Sequence, residues 1–493
     1  ACINFMNLST AQASRKLKQV GIKKVIGANR KTLIYQYVGE AMILTFLASC
    51  LAIIMVYFFI PGFNSMTDKQ LGLTLDGNFI SGVLIITFFT GLLSGSYPAF
   101  YLSRFKPMDI LKGKFSSSIG ELWTRKGLVV FQFCISILLI VAVSVIYQQI
   151  DFVQSENLGY KKDNVIVFDR QQKLYDNLEV FLAEVNNLPG VESSSVIEDE
   201  VTDISGNTGV YAVQGQTSDE IPPRMYEAVV GYDFIETLSI EMSEGRPFSR
   251  KFSNEGSKII LNEMAVEILG ITDPVGTIIS WKRQDKEVIG VTKNFHGQSL
   301  YEEIKPMAIL HEPDETTKVL VRIQSGTERA TISKLKNVYE SYYPGLPFEF
   351  QFLDDEYRAL YVSEQRIAML FRYFAGIAII ISCLGLFGLA SFSAERRLKE
   401  IGIRKILGST NFGIVSLLSR DFLLMIIIAN VITLPLSYLL SRKWLDNFAY
   451  SIDLTWWYFI GAGLSALLIA LLTVSFQTFK AAYVNPVVCL RDE

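Results

Sequence analysis

Six uninterrupted apolar blocks constrain this chain more than any other feature. They run approximately over 34–60, 79–102, 127–149, 368–392, 418–440 and 456–478. A bilayer core about 30 Å thick asks about 20 apolar residues of a spanning helix, and every block is long enough. Backbone groups in lipid find no water to bond, so spanning segments of this kind must be helices. Half of the 493 residues are hydrophobic, too many for an ordinary soluble globule. The cysteines Cys2, Cys50, Cys134, Cys383 and Cys489 all lie in or beside apolar segments. They show neither a disulfide framework nor a paired ligand spacing and read as small apolar residues of membrane helices. Residues 1–8 are apolar but too short to span, and they lack the charged start and small-residue cleavage site of a signal peptide.

Charge sets the orientation. Residues 150–366 hold 37 acidic against 21 basic residues, so the remainder of the chain is basic. The basic residues gather in three places: Arg15, Lys16, Lys18, Lys23, Lys24, Arg30 and Lys31; Arg104, Lys106, Lys112, Lys114, Arg125 and Lys126; and Arg396, Arg397, Lys399, Arg404 and Lys405. Basic loops stay in the cytoplasm. That rule puts these three and the C-terminus inside, places 150–366 outside, and makes every span alternate.

The outer region reads as mixed α/β. Asn164–Arg170 reads as a strand, Leu174, Leu178, Phe181, Leu182 and Val185 as one helical face, and Val191–Val196 as a second strand after Pro189-Gly190. The pattern recurs with Lys318–Gln324, the stripe Ile332, Leu335, Val338, Tyr339 and Tyr342, and Phe348–Phe352. Two such units predict a split βαβ sheet. Between them Lys258–Asn262, Thr277–Trp281 and Glu287–Val291 predict an inserted β-rich subdomain. Glu356–Tyr373 has helical spacing without a breaker and is expected to run straight into the fourth span as a stalk. The fold class is therefore a polytopic α-helical membrane protein with one α/β extracytoplasmic domain. Its parts are 1–126, the end of a first membrane module; 127–149, a span; 150–366, the outer domain with its stalk; and 367–493, a second three-helix module.

The most specific signal is an internal repeat. Residues 15–28, RKLKQVGIKKVIGA, align without a gap to 396–409, RRLKEIGIRKILGS, at an offset of 381. Cys2 then matches Cys383, and Glu40 matches Asp421. After a two-residue slip, Pro107, Leu111 and Lys112 match Pro486, Leu490 and Arg491. A fixed-offset repeat of this quality is not accidental. The second copy has one span, an outer domain and three spans, whereas the first starts at the tail of its second span. The comparison predicts a longer parent chain with eight spans and two outer domains.

The repeated segment is an elbow that follows one span and precedes the next. It predicts a short helix with basic residues on one flank and Ile22, Val25, Ile26, or Ile403, Ile406, Leu407, on the other, at i, i+3, i+4 spacing. Gly27 and Gly408 fall where a left-handed cap ends such a helix. A basic loop resting on anionic lipid needs only charge. Keeping the same register in both copies favours a protein-docking surface.

With these residues in view, the chain resembles the FtsX-like permeases, the MacB-type class of ABC transporters. The segments IISCLGLFGLASF at 380–392, ERRLKEIGIRKILGS at 395–409, NEMAVEILG at 262–270 and IGVTKNFHGQSL at 289–300 carry the resemblance, which is to the Bacteroidetes-type members. It implies a permease that is not itself an enzyme, with no cofactor on this chain and ATP with magnesium on a partner subunit. It implies a cytoplasmic ATPase dimer gripping the elbows through Lys16, Lys18, Gly21, Ile22, Lys23, Lys24 and Gly27, and through Arg397, Lys399, Glu400, Gly402, Ile403, Arg404, Lys405 and Gly408. The partners are then this ATPase, the lipid bilayer, and a periplasmic adaptor or outer-membrane channel, with no nucleic acid. The resemblance also implies a multi-pass protein of a bacterial cell inner membrane with 150–366 in the periplasm. Export or extraction of a hydrophobic, peptide or lipoprotein-like cargo is the first reading. The alternative is a regulatory membrane protein that activates an outer partner, which would show the same elbow. No phosphate-cradling G-x-x-x-x-G-K-[ST] stretch is present. Leu93-Ser94-Gly95-Ser96 faintly resembles an ABC signature but lies inside a span.

Several other residues invite a role. Glu40 and Asp421 are intramembrane acids, open to structural pairing, to snorkelling or to a proton relay. Gly91-x-x-x-Gly95, Gly461-x-x-x-Ser465, Gly385 and Gly388 suit close helix packing. His296 and His311 are isolated and make no ordinary metal site; His296 reads as a turn or packing residue. No nucleophile triad is legible.

Overall fold

A computed structural model describes residues 4–6, 19–74, 76–104, 119–171, 177–204, 206–213 and 224–482. The chain divides into a unit of 1–147, 365–444 and 453–493, and a unit of 148–364 with 445–452.

The first unit holds all or most of each of the apolar helices Arg30–Thr67, Gly77–Arg104, Ile119–Ser155, Val362–Arg396, Asn411–Leu445 and Trp456–Ala482, the first to sixth spans. All six are long and apolar enough to cross a bilayer. Most overrun their apolar blocks by several residues, because helix propagation continues where the lipid stops. Close packing of small residues is visible between the first two. A Cβ added at Gly91 would lie 2.5 Å from Met42 Sδ, and one at Gly95 would lie 2.6 Å from Ala41 Cβ. The pattern at Gly461 does not act this way: an added Cβ there meets nothing within 4 Å, whereas at Gly463 it would lie 2.3 Å from Asn430 Oδ1. Residue 461 points off the packed face, and 463 is on it. Gly385 faces Asn4, and those two positions are 381 apart. Ser136 and Ser382 share a hydrogen bond of 3.0 Å, and Gln477 Nε2 donates to Ser391 Oγ at 2.8 Å.

The second unit is built on one mixed sheet. Its strands are β1 (Val165–Asp169), β2 (Val191–Ile197), β3 (Gly206–Val213), β4 (Arg224–Val230), β5 (Met242–Gly245), β6 (Lys258–Asn262), β7 (Ile278–Trp281), β8 (Gln284–Thr292), β9 (Met307–His311), β10 (Lys318–Ile323) and β11 (Gln351–Phe352). An α/β lobe carries the order β11–β1–β10–β2, all antiparallel. Alternation sorts its side chains. Ile166, Phe168, Val319 and Val321 face the helices Leu178–Asn186 and Glu328–Tyr342 over a core with Phe181, Leu335 and Tyr339. Val165, Val167 and Leu320 point the other way into a second core. Leu174 lies outside the described residues.

The expected β-rich insertion is present and continues the same sheet. Strand β2 joins β4 through the single pair Ile197–Val230, and β4–β3–β7–β8–β6–β9 then closes back on β4 as a six-stranded barrel. The β4–β9 and β6–β8 pairs are parallel, and Trp281, Ile259, Leu261, Ile279 and Leu310 fill the interior. The motif NEMAVEILG is one capped helix of this barrel. Asn262 Oδ1 accepts from Ala265 N at 2.9 Å, and Gly270 closes the helix at φ +64.

Two expectations need correction. The stalk is not one helix: Leu353–Ala359 stops, residues 360–361 form a turn, and a new helix starts at Val362. Tyrosines before and within the break bind other segments. Tyr357 Oη donates to Val153 O at 3.1 Å, and Tyr361 Oη accepts from Leu300 N at 2.8 Å. Of the strand expected at 348–352, only Gln351 and Phe352 pair with β1; Phe348 and Phe350 pack as rings instead.

Sequence reading also missed that residues 445–452 belong to this unit. Phe448 stacks on Tyr301 at 4.3 Å, and Tyr450 meets His296 edge-on at 4.8 Å. Gln149 brackets the same loop: its Nε2 donates to Tyr450 O and its Oε1 accepts from Ile452 N, both at 2.9 Å. His296 is thus a packing residue, and burial lowers its pKa.

Candidate coupling site at the paired elbows

The first elbow is helical over 19–25 and the second over Leu398–Ile406. Both end in the same way. Gly27 N donates to Lys24 O and Ala28 N to Lys23 O; Gly408 N donates to Lys405 O and Ser409 N to Arg404 O. These crossed bonds make a Schellman cap, which needs a left-handed residue at its apex. Gly27 has φ +105 and Gly408 has φ +89.

Each elbow is held by one apolar tooth. Val20 packs with Leu33 and Tyr37 of the following span, and Ile401 packs with Ile414 and Leu418 of its own. The three positions correspond at the repeat offset. Gly21 and Gly402, beside the teeth, are buried in both copies. The opposite side is bare. Ile22 and Ile403 are 58% and 51% exposed, Val25 and Ile406 66% and 64%, and Ile26 and Leu407 81% and 79%. Phe412, just past the second cap, is 75% exposed. Sequence reasoning missed Phe412, because the repeat puts a lysine at its counterpart.

The basic residues lie back against the protein. Lys23 Nζ donates to Gln36 Oε1 at 2.9 Å, Lys24 Nζ to Ser103 O at 2.7 Å, and Arg30 Nε to Ser103 Oγ at 3.4 Å. Arg404 pairs with Glu400 at 2.8 Å. Partial burial, and then the neighbouring Arg30 charge, lower the pKa of Lys24. Lys16 and Lys18 lie outside the described residues, and the side chain of Lys399 is not described. Of the two acids assigned to spans, Asp421 takes Arg397, in the turn before the second elbow helix, at 3.4 Å and Lys126 of the third span at 3.7 Å. Glu40 occupies the equivalent exposed position on the first span. Among the described residues no three His, Cys, Asp or Glu side chains gather as a metal site.

Comparison with known proteins gives this geometry its context. Residues 1–107 and 372–486 match the FtsX-like permease C-terminal model, and 128–337 match the MacB-like periplasmic core domain. The chain belongs to the FtsX-like permeases of MacB type. The elbows lie inside the two matched permease segments. The uncharacterized ABC transporter permease YknZ of Bacillus subtilis (strain 168) is 23% identical over 327 residues, covering 62% of this chain and 82% of its own length. The macrolide export ATP-binding/permease protein MacB of Bdellovibrio bacteriovorus is 28% identical over 112 residues. That alignment covers 22% of this chain and only 17% of that MacB. Among solved structures, the periplasmic region of MacB from Actinobacillus actinomycetemcomitans aligns with 42% of this chain and 97% of its own, at TM-score 0.30 and 13% identity. The extracellular domain of YknZ aligns with 38% of this chain and 98% of its own, at TM-score 0.28 and 17% identity. This FtsX-like chain is accordingly an ABC transporter permease, a multi-pass membrane protein with an extracytoplasmic domain, and a cytoplasmic ATPase is its implied partner.

Proposed function

We propose that this permease receives the motion of a cytoplasmic ATPase pair on its two elbows and passes it to the outer domain, so that a hydrophobic, peptide or lipoprotein-like cargo is exported or extracted. The observation that carries this reading is the repetition of one exposed apolar triad on one capped helix, 381 residues apart. Large apolar side chains left bare outside the apolar core of the bilayer mark an interaction surface. The buried teeth supply the mechanical link. With Val20 and Ile401 locked to the bases of the next spans, a push on an elbow becomes a push on a membrane helix. Close-packed interiors transmit such displacement instead of absorbing it.

The test uses Ile26→Asp with Leu407→Asp in the full-length permease, purified from its own membranes. The measured quantity is the ATP hydrolysis that co-purifies per permease. Both side chains are exposed, so thermal unfolding should be unchanged while co-purifying activity falls at least about tenfold, the equivalent of about 1.4 kcal/mol. Undiminished activity would sink the docking assignment.

A further inference from the structure

The two elbows share a backbone but differ in chemistry. Over 19–31 the first has Lys23, Lys24, Arg30 and Lys31 and no acid; over the equivalent 400–412 the second has Arg404 and Lys405 against Glu400. The difference is built into the contacts. Glu400 takes the Arg404 guanidinium one turn away. Its counterpart is Gln19, and Lys23 bonds the neutral Gln36. Lys24 sits in the field of Arg30. The largest change is four residues past the capping glycine, where Lys31 after the first elbow is Phe412 after the second, and Phe412 is mostly exposed.

Resting on the docking role proposed above, we infer that the two elbows are unequal docks: the second holds the ATPase by apolar contact centred on Leu407 and Phe412, and the first holds it by a salt-sensitive contact through Lys23 and Lys31. The surface that fits the second elbow is an apolar socket deep enough for an aromatic ring. The surface that fits the first is a shallower socket with an acidic rim. An aromatic side chain buried at an interface centre carries a large share of the affinity. Attraction between exposed charges is weak and is screened over about 10 Å at 0.1 M salt. The ATPase pair then either consists of two different subunits or grips one permease with two different strengths.

The experiment uses the full-length permease with its co-purifying ATPase, washed at low and at high salt, with ATP hydrolysis retained per permease as readout. Lys23→Gln with Lys31→Gln should lower retention severalfold at low salt and leave the high-salt value unchanged. Leu407→Ser with Phe412→Ser should lower it about tenfold at both. Exchanging the two key residues, Lys31→Phe with Phe412→Lys, should restore retention at high salt while moving the salt-sensitive contact to the second elbow. All these positions lie off the buried teeth and leave both glycine caps in place, so the elbows themselves stay folded. If the two double variants respond to salt in the same way, the inequality is overturned while the elbows remain docks. If neither changes retention at either salt, the docking assignment itself fails, and a lipid contact of the elbows takes its place.

Discussion

At the residue scale, Glu356 of the outer unit is a carboxyl whose ionisation opposes folding. Burial raises the pKa of Glu356, and Glu200 adds to the rise, while the bond from Thr202 Oγ1 at 2.6 Å and the charge of Lys318 oppose it. A raised folded-state pKa means that the folded chain binds the proton more tightly than the unfolded chain. The stability this contributes is full below the ordinary carboxylate range and is lost as pH rises through the raised value. Glu356→Gln keeps an acceptor for Thr202 and removes the charge. The variant should melt a few degrees higher than the parent at neutral pH, by about 2–4 °C per kcal/mol. The difference should vanish near pH 4, where an ordinary carboxyl is about half protonated. Thermal melts of the detergent-solubilised chain at the two pH values decide it, and a glutamine variant that melts lower at both would refute the sign. Residue-scale features with a local cause were legible in the sequence. Gly27 and Gly408 could be read as left-handed caps because the helix pattern stops beside them. The buried charge of Glu356 could not, because its partners Thr202, Glu200 and Lys318 are remote in sequence.

At the element scale the loop 445–452 is the least expected part of the outer unit. In the sequence it is only the connection between the fifth and sixth spans, yet Phe448 and Tyr450 pack on the 296–304 segment. Tyr450 Oη also accepts from Ile304 N at 3.4 Å, and Tyr450 N donates to Leu300 O at 3.4 Å. The same segment is bonded by Tyr361 from the stalk, and His296 N donates to Leu158 O at 2.8 Å. Truncating Phe448 to Ala should therefore cost up to about 3 kcal/mol, the lower end for a buried ring. It should also speed amide exchange across 296–304 without affecting β1 or β10. Exchange that rises evenly over the whole unit would mean that the loop supports the fold globally. The stalk break and the barrel closure were hidden for one reason. Residues 356–373 have an unbroken helical pattern, and neither β4 nor β9 is among the strands read from the sequence. The break and the parallel β4–β9 pairing are decided by tertiary partners that local periodicity does not encode.

At the scale of the whole molecule, the proposed docking and transmission are separable, because they call on different residues. The triads are exposed, whereas Val20 and Ile401 are buried against the protein's own helices, chiefly the next span. The repeat made both elbows legible, since the same apolar spacing occurs at two places. It could not show which apolar residue turns inward, because Val20 and Ile22, or Ile401 and Ile403, differ in fate and not in type. Shortening both teeth, Val20→Ala with Ile401→Ala, removes contacts that hold elbow to helix. The isoleucine alone is worth about 2–5 kcal/mol when fully buried. The bare faces are left intact, so the ATPase should still co-purify and still hydrolyse ATP. What should disappear is the effect of ATP on the far side: any nucleotide-dependent change in amide exchange over 296–304 in the parent should be reduced at least severalfold in the variant. If the variant loses the ATPase instead, the teeth set the shape of the dock and do not act as a lever. If exchange still follows ATP, motion reaches the outer domain by a route other than the elbow-to-helix link.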